Sequence, residues 1–165
     1  MTPACRNAAA GDPKPPVTSV RRATTEDEES VRAILDEYNE AVSVVRRDDR
    51  TALRAYLAGP GAFWLAQIGD TLIGCLAFRP LPEIGPDACE VKRLYVRPVH
   101  RGAHVADALL DALENHARAG GYRALYLDTH DKLTAALRFY ARRGYKRIPR
   151  YNDNPQATIF MRRTA

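Results

Sequence analysis

Long apolar runs are missing from this chain of 165 residues, and none approaches the roughly 20 consecutive apolar residues that a bilayer crossing requires. No charged segment leads into an apolar core near the N-terminus, so no signal peptide is expected and the expected location is cytoplasmic. Cysteine is scarce: Cys5, Cys75 and Cys89 are odd in number and far apart. That count excludes a disulfide framework and a CxxC metal pair, and it favours a reducing compartment. His100 and His116 form no ligand spacing with any Cys or Asp, so no metal is expected. Long Lys/Arg blocks and zinc-finger spacing are missing too. Net charge is +5 and the pI about 9.3, yet the basic residues are dispersed, so neither nucleic acid nor membrane is an expected partner. No internal repeat is present.

What remains is ordinary for a soluble globular protein: 45% hydrophobic and 27% charged residues, in a length that suits one domain with a real core. Residues 1–16 carry Pro3, Pro13, Pro15, Pro16 and Gly11 and read as a flexible tail. Residues 17–165 read as the domain.

Along that domain the periodicity switches repeatedly. Val17–Arg22 alternates as a first strand. Thr25 caps a helix, with Glu28 completing a capping box and Val31, Ile34, Leu35 and Tyr38 forming one apolar stripe. A second helix over Thr51–Ala58 stops at Gly59-Pro60. Phe63–Ile68 and Thr71–Phe78 flank Gly69-Asp70, a two-residue hairpin loop. Glu90–Val96 is a strand, with Glu90, Lys92, Leu94 and Val96 expected on one face and Val91, Arg93 and Tyr95 on the other. A long amphipathic helix from Val105 ends at Gly120-Gly121. Ala124–Asp128 is a strand and Thr134–Arg143 a helix, and Tyr145–Ile148 and Thr158–Met161 are closing strands. The order β-α-α-β-β-β-α-β-α-β-β predicts an α+β (α/β) fold, a mixed sheet of about seven strands with helices on both faces.

The strand–turn–helix at 90–110 aims the unpaired N–H groups of a helix N-terminus past a strand end, an arrangement that suits a phosphate. Its residues are Leu94-Tyr95-Val96-Arg97-Pro98 followed by Arg101-Gly102-Ala103-His104-Val105-Ala106. A second motif, Ala136-Leu137-Arg138-Phe139-Tyr140-Ala141-Arg142-Arg143-Gly144-Tyr145, follows about 30 residues later. Together they resemble the cofactor motif and the C-terminal Ala-x-x-(Phe/Leu)-Tyr-x-x-x-Gly-(Phe/Tyr) of the GNAT superfamily of N-acetyltransferases. The resemblance covers residues 17–163. It is closest to a bacterial group with Glu-x-Lys-Arg-Leu-Tyr-Val, Leu-Asp-Thr, Tyr-x-x-Asn-Pro and Phe-Met, here Glu90–Val96, Leu127-Asp128-Thr129, Tyr151–Pro155 and Phe160-Met161. One position departs from the pattern: His104 stands where the family usually has glycine. A helical φ would let the imidazole point outward and keep the amides usable.

The resemblance implies transfer of acetyl from acetyl-CoA to a primary amine by direct attack, with a small molecule or amino acid as acceptor and no metal. A protein N-terminal or lysine acceptor, and a non-catalytic acyl-CoA-binding regulatory module, are the alternatives, and a homodimer is left open. For acetyl-CoA it implies Leu94, Tyr95, Val96, Arg101, Gly102, Ala103, His104, Val105, Ala106, Ala136, Tyr140 and Arg143. Tyr140 is implied as the acid that protonates the thiolate, against a plain core aromatic. Glu90 is the candidate base, directly or through water, against a salt-bridge role. Arg93, Thr129 and Asn154 are candidates for holding the acceptor, Lys92 is expected to be a surface charge, and His130 is expected to be an exposed loop histidine. The Tyr151–Pro155 loop either walls an acceptor pocket or turns between edge strands. A covalent cysteine route is disfavoured.

Overall fold

The computed structural model describes residues 18–165, so the tail read over residues 1–16 lies outside the described residues. Seven strands form one sheet: β1 (Thr18–Arg22), β2 (Ala62–Ile68), β3 (Thr71–Pro80), β4 (Ala88–Val96), β5 (Ala124–Thr129), β6 (Lys146–Ile148) and β7 (Ile159–Thr164), ordered β1-β2-β3-β4-β5-β7-β6. Four helices cover it: α1 (Glu28–Ala41), α2 (Arg50–Leu57), α3 (Val105–Ala119) and α4 (Thr134–Arg142). Every pairing is antiparallel except β4 with β5. The element order, the mixed sheet and the two covered faces are those the sequence predicts.

Each face carries an apolar core because the strands alternate against a helix stripe. One cluster joins Leu109, Leu110 and Leu113 of α3 to Leu76, Phe78, Val91, Leu125 and Leu127 of the sheet. The three leucines are fully buried, and each contributes about 1.5–3 kcal/mol by leaving water. The other cluster sets Val31, Ile34 and Leu35 of α1 and Leu53 and Tyr56 of α2 against Phe63, Leu65, Cys75, Ala77 and Tyr95. Truncating Leu109 to alanine would cost about 2–5 kcal/mol, since the packed sheet beneath cannot close over the gap.

The entry to α1 corrects the predicted cap by one residue. Thr24, not Thr25, accepts from the Glu26 amide (3.3 Å), and Asp27 answers by accepting from the Thr24 amide at 2.8 Å. Both threonines can cap, but Thr25 lies inside a 3-10 turn and Glu28, the acid three residues on, accepts from Arg32 instead.

A larger correction lies in β4. Between the Cys75–Tyr95 and Ala77–Lys92 pairs, β3 advances two residues and β4 three. The extra residue is a bulge at Arg93, whose φ is 59°. It inverts the alternation. Cys89 and Val91, and beyond the bulge Leu94 and Val96, all face α3, whereas Glu90, Lys92 and Arg93 face the opposite side. Glu90 and Leu94, expected on one face, are therefore on opposite faces.

Candidate active site

The sheet splits between β4 and β5. They pair only from Ala88–Ala124 to Glu90–Tyr126, so from Lys92 onward β4 has no partner on that side. The main-chain groups of its second half, around Leu94, Tyr95 and Val96, line the opening. At its end the chain turns through Pro98–His100 into α3. The amides from Gly102 to Asp107 make no hydrogen bond among the described residues, the first intrahelical one being Ala108 N–H to His104 C=O at 3.0 Å. Six free donors on a positive helix end suit a pyrophosphate. A pocket of about 260 Å³ lies over them, lined by Val96, His100, Arg101, Gly102, His104, Val105, Ala106, Phe139 and Arg142.

Local conformation keeps this cradle open. Gly102 has a φ of 83°, and a Cβ there would meet nothing within 4 Å. The glycine thus serves its backbone angle and leaves the space for a ligand. His104 has φ 58° and ψ 17°: left-handed, so the helical condition for an outward imidazole is not met. Its side chain is nevertheless 82% exposed, with Nδ1 3.4 Å from Asp107, so the imidazole projects outward into solvent although the residue lines the pocket. Arg101 folds back and donates Nε–H to the Val96 carbonyl at 3.0 Å, which ties that carbonyl to the cradle. Arg142 reaches the pocket. Arg143 does not: its guanidinium binds Asp111 (2.6 Å) and Glu114 (2.9 Å) on the flank of α3. Ala136 packs against the α3-side core.

Tyr140 of α4 is buried in the core on the α3 side, with its ring 5.5 Å from that of Tyr145. Burial, with smaller contributions from Tyr38 and Asp128, pushes its hydroxyl well above the usual phenol range. It is a protonated donor at neutral pH.

The face opposite α3 opens into a cleft of about 640 Å³. Glu90, fully buried, is its floor. Oε2 accepts from Arg79 Nε–H at 2.7 Å and lies 3.4 Å from Lys92 Nζ; Oε1 accepts from the Tyr151 hydroxyl at 2.7 Å. Burial raises its pKa, but Lys92, Tyr151 and Arg79 together outweigh that and hold the carboxyl below its ordinary value. Glu90 is thus ionised and fully engaged. Asp128 differs: Oδ2 accepts from Asn152 (2.6 Å) and Asn154 (3.2 Å), while Oδ1 accepts nothing among the described residues. The Tyr151–Pro155 loop therefore walls the cleft, its amide side chains positioning Asp128.

Arg93 donates to both oxygens of Asp48 (2.7 and 2.8 Å) and lies 5.5 Å from the Tyr38 ring. It anchors the α1–α2 connection beside the cleft. Lys92, expected as a surface charge, instead points into the cleft with only 18% of its side chain exposed, because strand alternation puts it on the Glu90 face and that face is the cleft. Thr129 and His130 line the cleft at the end of β5, the imidazole 2.7 Å from Asp131. Gln156 spans the mouth, accepting from Val45 N–H (2.7 Å) and donating to the Ser43 carbonyl (2.9 Å). Cys75 and Cys89 are buried and away from the cleft, and burial pushes the Cys89 thiol up to about 12. Neither suits a nucleophile. Among the described residues no group of three or more His, Cys, Asp or Glu side chains could hold a metal ion, and no helix is long and apolar enough to cross a membrane.

A split sheet with a phosphate cradle on one side and a polar cleft on the other agrees with the family comparison. The model for the Acetyltransferase (GNAT) family matches residues 28–145. This chain belongs to that family. An uncharacterised N-acetyltransferase of Schizosaccharomyces pombe is 34% identical over 136 residues, covering 80% of this chain and 82% of that protein. The chain spans about half the length of the mouse and rat N-acetyltransferases it also matches. A GNAT-family acetyltransferase of Staphylococcus aureus shares the fold with a TM-score of 0.76, at 22% identity over 90% of this chain and 99% of its own. The PaiA N-acetyltransferase of Thermoplasma acidophilum, solved in complex with coenzyme A, does so at 0.68 and 17% identity, over 90% and 99%. As a GNAT member the chain is an acetyl-CoA-dependent acyltransferase, and the α+β fold is the family's.

Phe139, Arg142, Tyr38, Asp48 and Gln156 were not singled out from the sequence. Arg142 and Phe139 sat in a recognised motif, and helical spacing could have distinguished Arg142 from Arg143. For Asp48 and Gln156 the sequence holds no signal, because their partners lie 45 and 111 residues away.

Proposed function

We propose that the protein acetylates the primary amine of a small molecule by direct attack on acetyl-CoA, in the cytoplasm. The observation that carries this is the continuity of the site. What supports it is that the free amides of α3 and the open edge of β4 adjoin the split, that a polar cleft of about 640 Å³ opens on the other face, and that Tyr38 and Asp128 of that cleft act on the Tyr140 hydroxyl.

Acetyl-CoA supplies the activated acyl carbon and a sulfur leaving group. In this reading the amides from Gly102 to Asp107, with Arg101 and Arg142, hold the pyrophosphate. The unpaired edge at Leu94 and Val96 aligns the pantetheine arm, and an amide near Tyr95 faces the thioester carbonyl. Val105 and Ala106 shape the cradle wall, Ala103 contributes through its main chain, and the outward His104 leaves the phosphate path clear. Ala136 backs the Tyr140 helix, while Arg143 supports the cradle indirectly by pinning α4 to α3. Tyr140, protonated at neutral pH, donates its proton to the departing sulfur. Glu90 serves as a fixed negative charge that orders Arg79, Lys92 and Tyr151, since both of its oxygens are engaged. Arg93 fixes the cleft wall, and Thr129 and Asn154 border the acceptor.

Titration of acetyl-CoA in a calorimeter, followed by thiol release against a panel of amines, tests the proposal. Binding with amine-dependent release is expected. Binding without release would favour a regulatory acyl-CoA module, release with peptide amines alone would favour a protein acceptor, and no binding at millimolar acetyl-CoA would end the reading.

A further inference from the structure

We propose that the acceptor is an amine that also carries a carboxylate, of the amino-acid class, seated between Asp128 and Lys92. The inference rests on the acetyltransferase reading above and deepens it. Glu90 and Tyr126 are the last residues paired between β4 and β5. Two residues further along each strand stand Lys92 and Asp128, so a continued register would set them opposite one another on the cleft face. The strands part there instead, and the two side chains form no ion pair although both line the cleft.

Each of the two is held by other groups yet keeps bonding capacity to spare. Lys92 Nζ lies 3.4 Å from Glu90 Oε2 but donates no hydrogen bond among the described residues. Asp128 is steadied on Oδ2 by Asn152 and Asn154, leaving Oδ1 without a donor. Asn152 also reaches Glu90 at 3.4 Å, so one amide ties the two halves of the arrangement together. A half-buried carboxylate and ammonium that face a gap favour a ligand bearing the opposite charge at each end. Arg46 and Lys132 on the cleft walls, with Asp153 also there, form no ion pair among the described residues and add positive potential for the acceptor's carboxylate.

The arrangement also settles where the protons go. Asp128 Oδ1 takes one proton from the ammonium and passes it to water in the cleft. The freed lone pair forms the C–N bond as the C–S bond breaks. Tyr140 protonates the departing sulfur and regains a proton from the acylated nitrogen. Asp128 is a catalytic residue in this scheme; Lys92 is a substrate-binding one.

The test compares thiol release from matched pairs, phenylalanine against phenethylamine, lysine against cadaverine and alanine against ethylamine, for the wild type, Lys92→Met and Asp128→Asn. Acetyl-CoA calorimetry verifies that each variant is folded. The wild type should prefer at least one amino acid over its partner, and Lys92→Met should collapse that preference by about 10- to 100-fold, the worth of a charge-assisted hydrogen bond. Asp128→Asn should lower kcat at neutral pH by about 100-fold or more on both members. Its rate should recover as pH rises toward the amine's own pKa, where the substrate arrives neutral. Equal use of both members of every pair, a preference that survives Lys92→Met, or a wild-type rate in Asp128→Asn would overturn the inference while sparing the acetyltransferase reading. Absence of thiol release from every amine would overturn both. Should Asp128→Asn fail to fold, the wild-type pairs and Lys92→Met still decide.

Discussion

Replacing His104 by glycine and by alanine separates two effects that the position combines. The backbone there is left-handed, with φ 58°, a conformation that costs a residue with a Cβ about 1–2 kcal/mol. Glycine removes that cost but gives the unfolded chain more freedom, returning about 0.5–1 kcal/mol. Alanine keeps the cost and loses only an imidazole that is 82% exposed and 3.4 Å from Asp107, a contact worth little in water. His104→Gly should therefore exceed His104→Ala in stability by about 0.5–1 kcal/mol, roughly 1–4 °C in Tm for a domain of this size. Thermal unfolding by circular dichroism at one pH reads the difference. Because the imidazole already points outward, acetyl-CoA affinity by calorimetry should stay within about twofold across all three proteins. Equal Tm values for the two variants would refute the strain argument. A tenfold gain in affinity on His104→Gly would refute the outward orientation.

Tyr140→Phe should reduce kcat about 100-fold with acetyl-CoA affinity nearly unaltered, since the hydroxyl makes no hydrogen bond among the described residues; stopped-flow thiol release would expose an unaffected rate and so dismiss the acid role. Gly74→Ala would place a Cβ 2.7 Å from the Tyr95 carbonyl oxygen and 3.3 Å from Leu109, and should destabilise by about 1–3 kcal/mol; an unchanged denaturation midpoint would contradict the packing. Glu90→Gln breaks a buried charge cluster and should cost about 3–5 kcal/mol at neutral pH. The folded carboxyl titrates below its ordinary value of 4.5, so the wild-type advantage is present above that pH and fades as pH falls through the lower folded value. Urea titrations at several pH values that show a constant advantage down to about pH 3 would rule out ionisation as its source.

Much of this arrangement was legible because local signals and tertiary needs coincide. Gly69-Asp70 fixes the hairpin, Gly120-Gly121 stops α3, and the leucine spacing of α3 matches the sheet face it covers. Arg93 carries no mark of a left-handed residue, so the bulge was invisible, and with it the true facing of Arg93, Leu94 and Val96 relative to Glu90. Side chains such as Gln156 and Asp48 were missed because their partners are distant in sequence, and only the closed fold brings them together.

The bulge has a consequence for how such a protein can change. One inserted residue lets the first half of β4 turn Glu90, Lys92 and Arg93 toward the acceptor cleft, while the second half turns Leu94 and Val96 toward α3 beside the phosphate cradle. Under the proposed function, substitutions upstream of Arg93 would retune what is acetylated without disturbing the grip on the acetyl donor. Without the bulge the same residues would put Leu94 and Val96 on the same face as Glu90 and Lys92, so one half could keep its place only at the other's expense. The strand is a swivel: specificity can drift on one side of it while the chemistry stays fixed on the other.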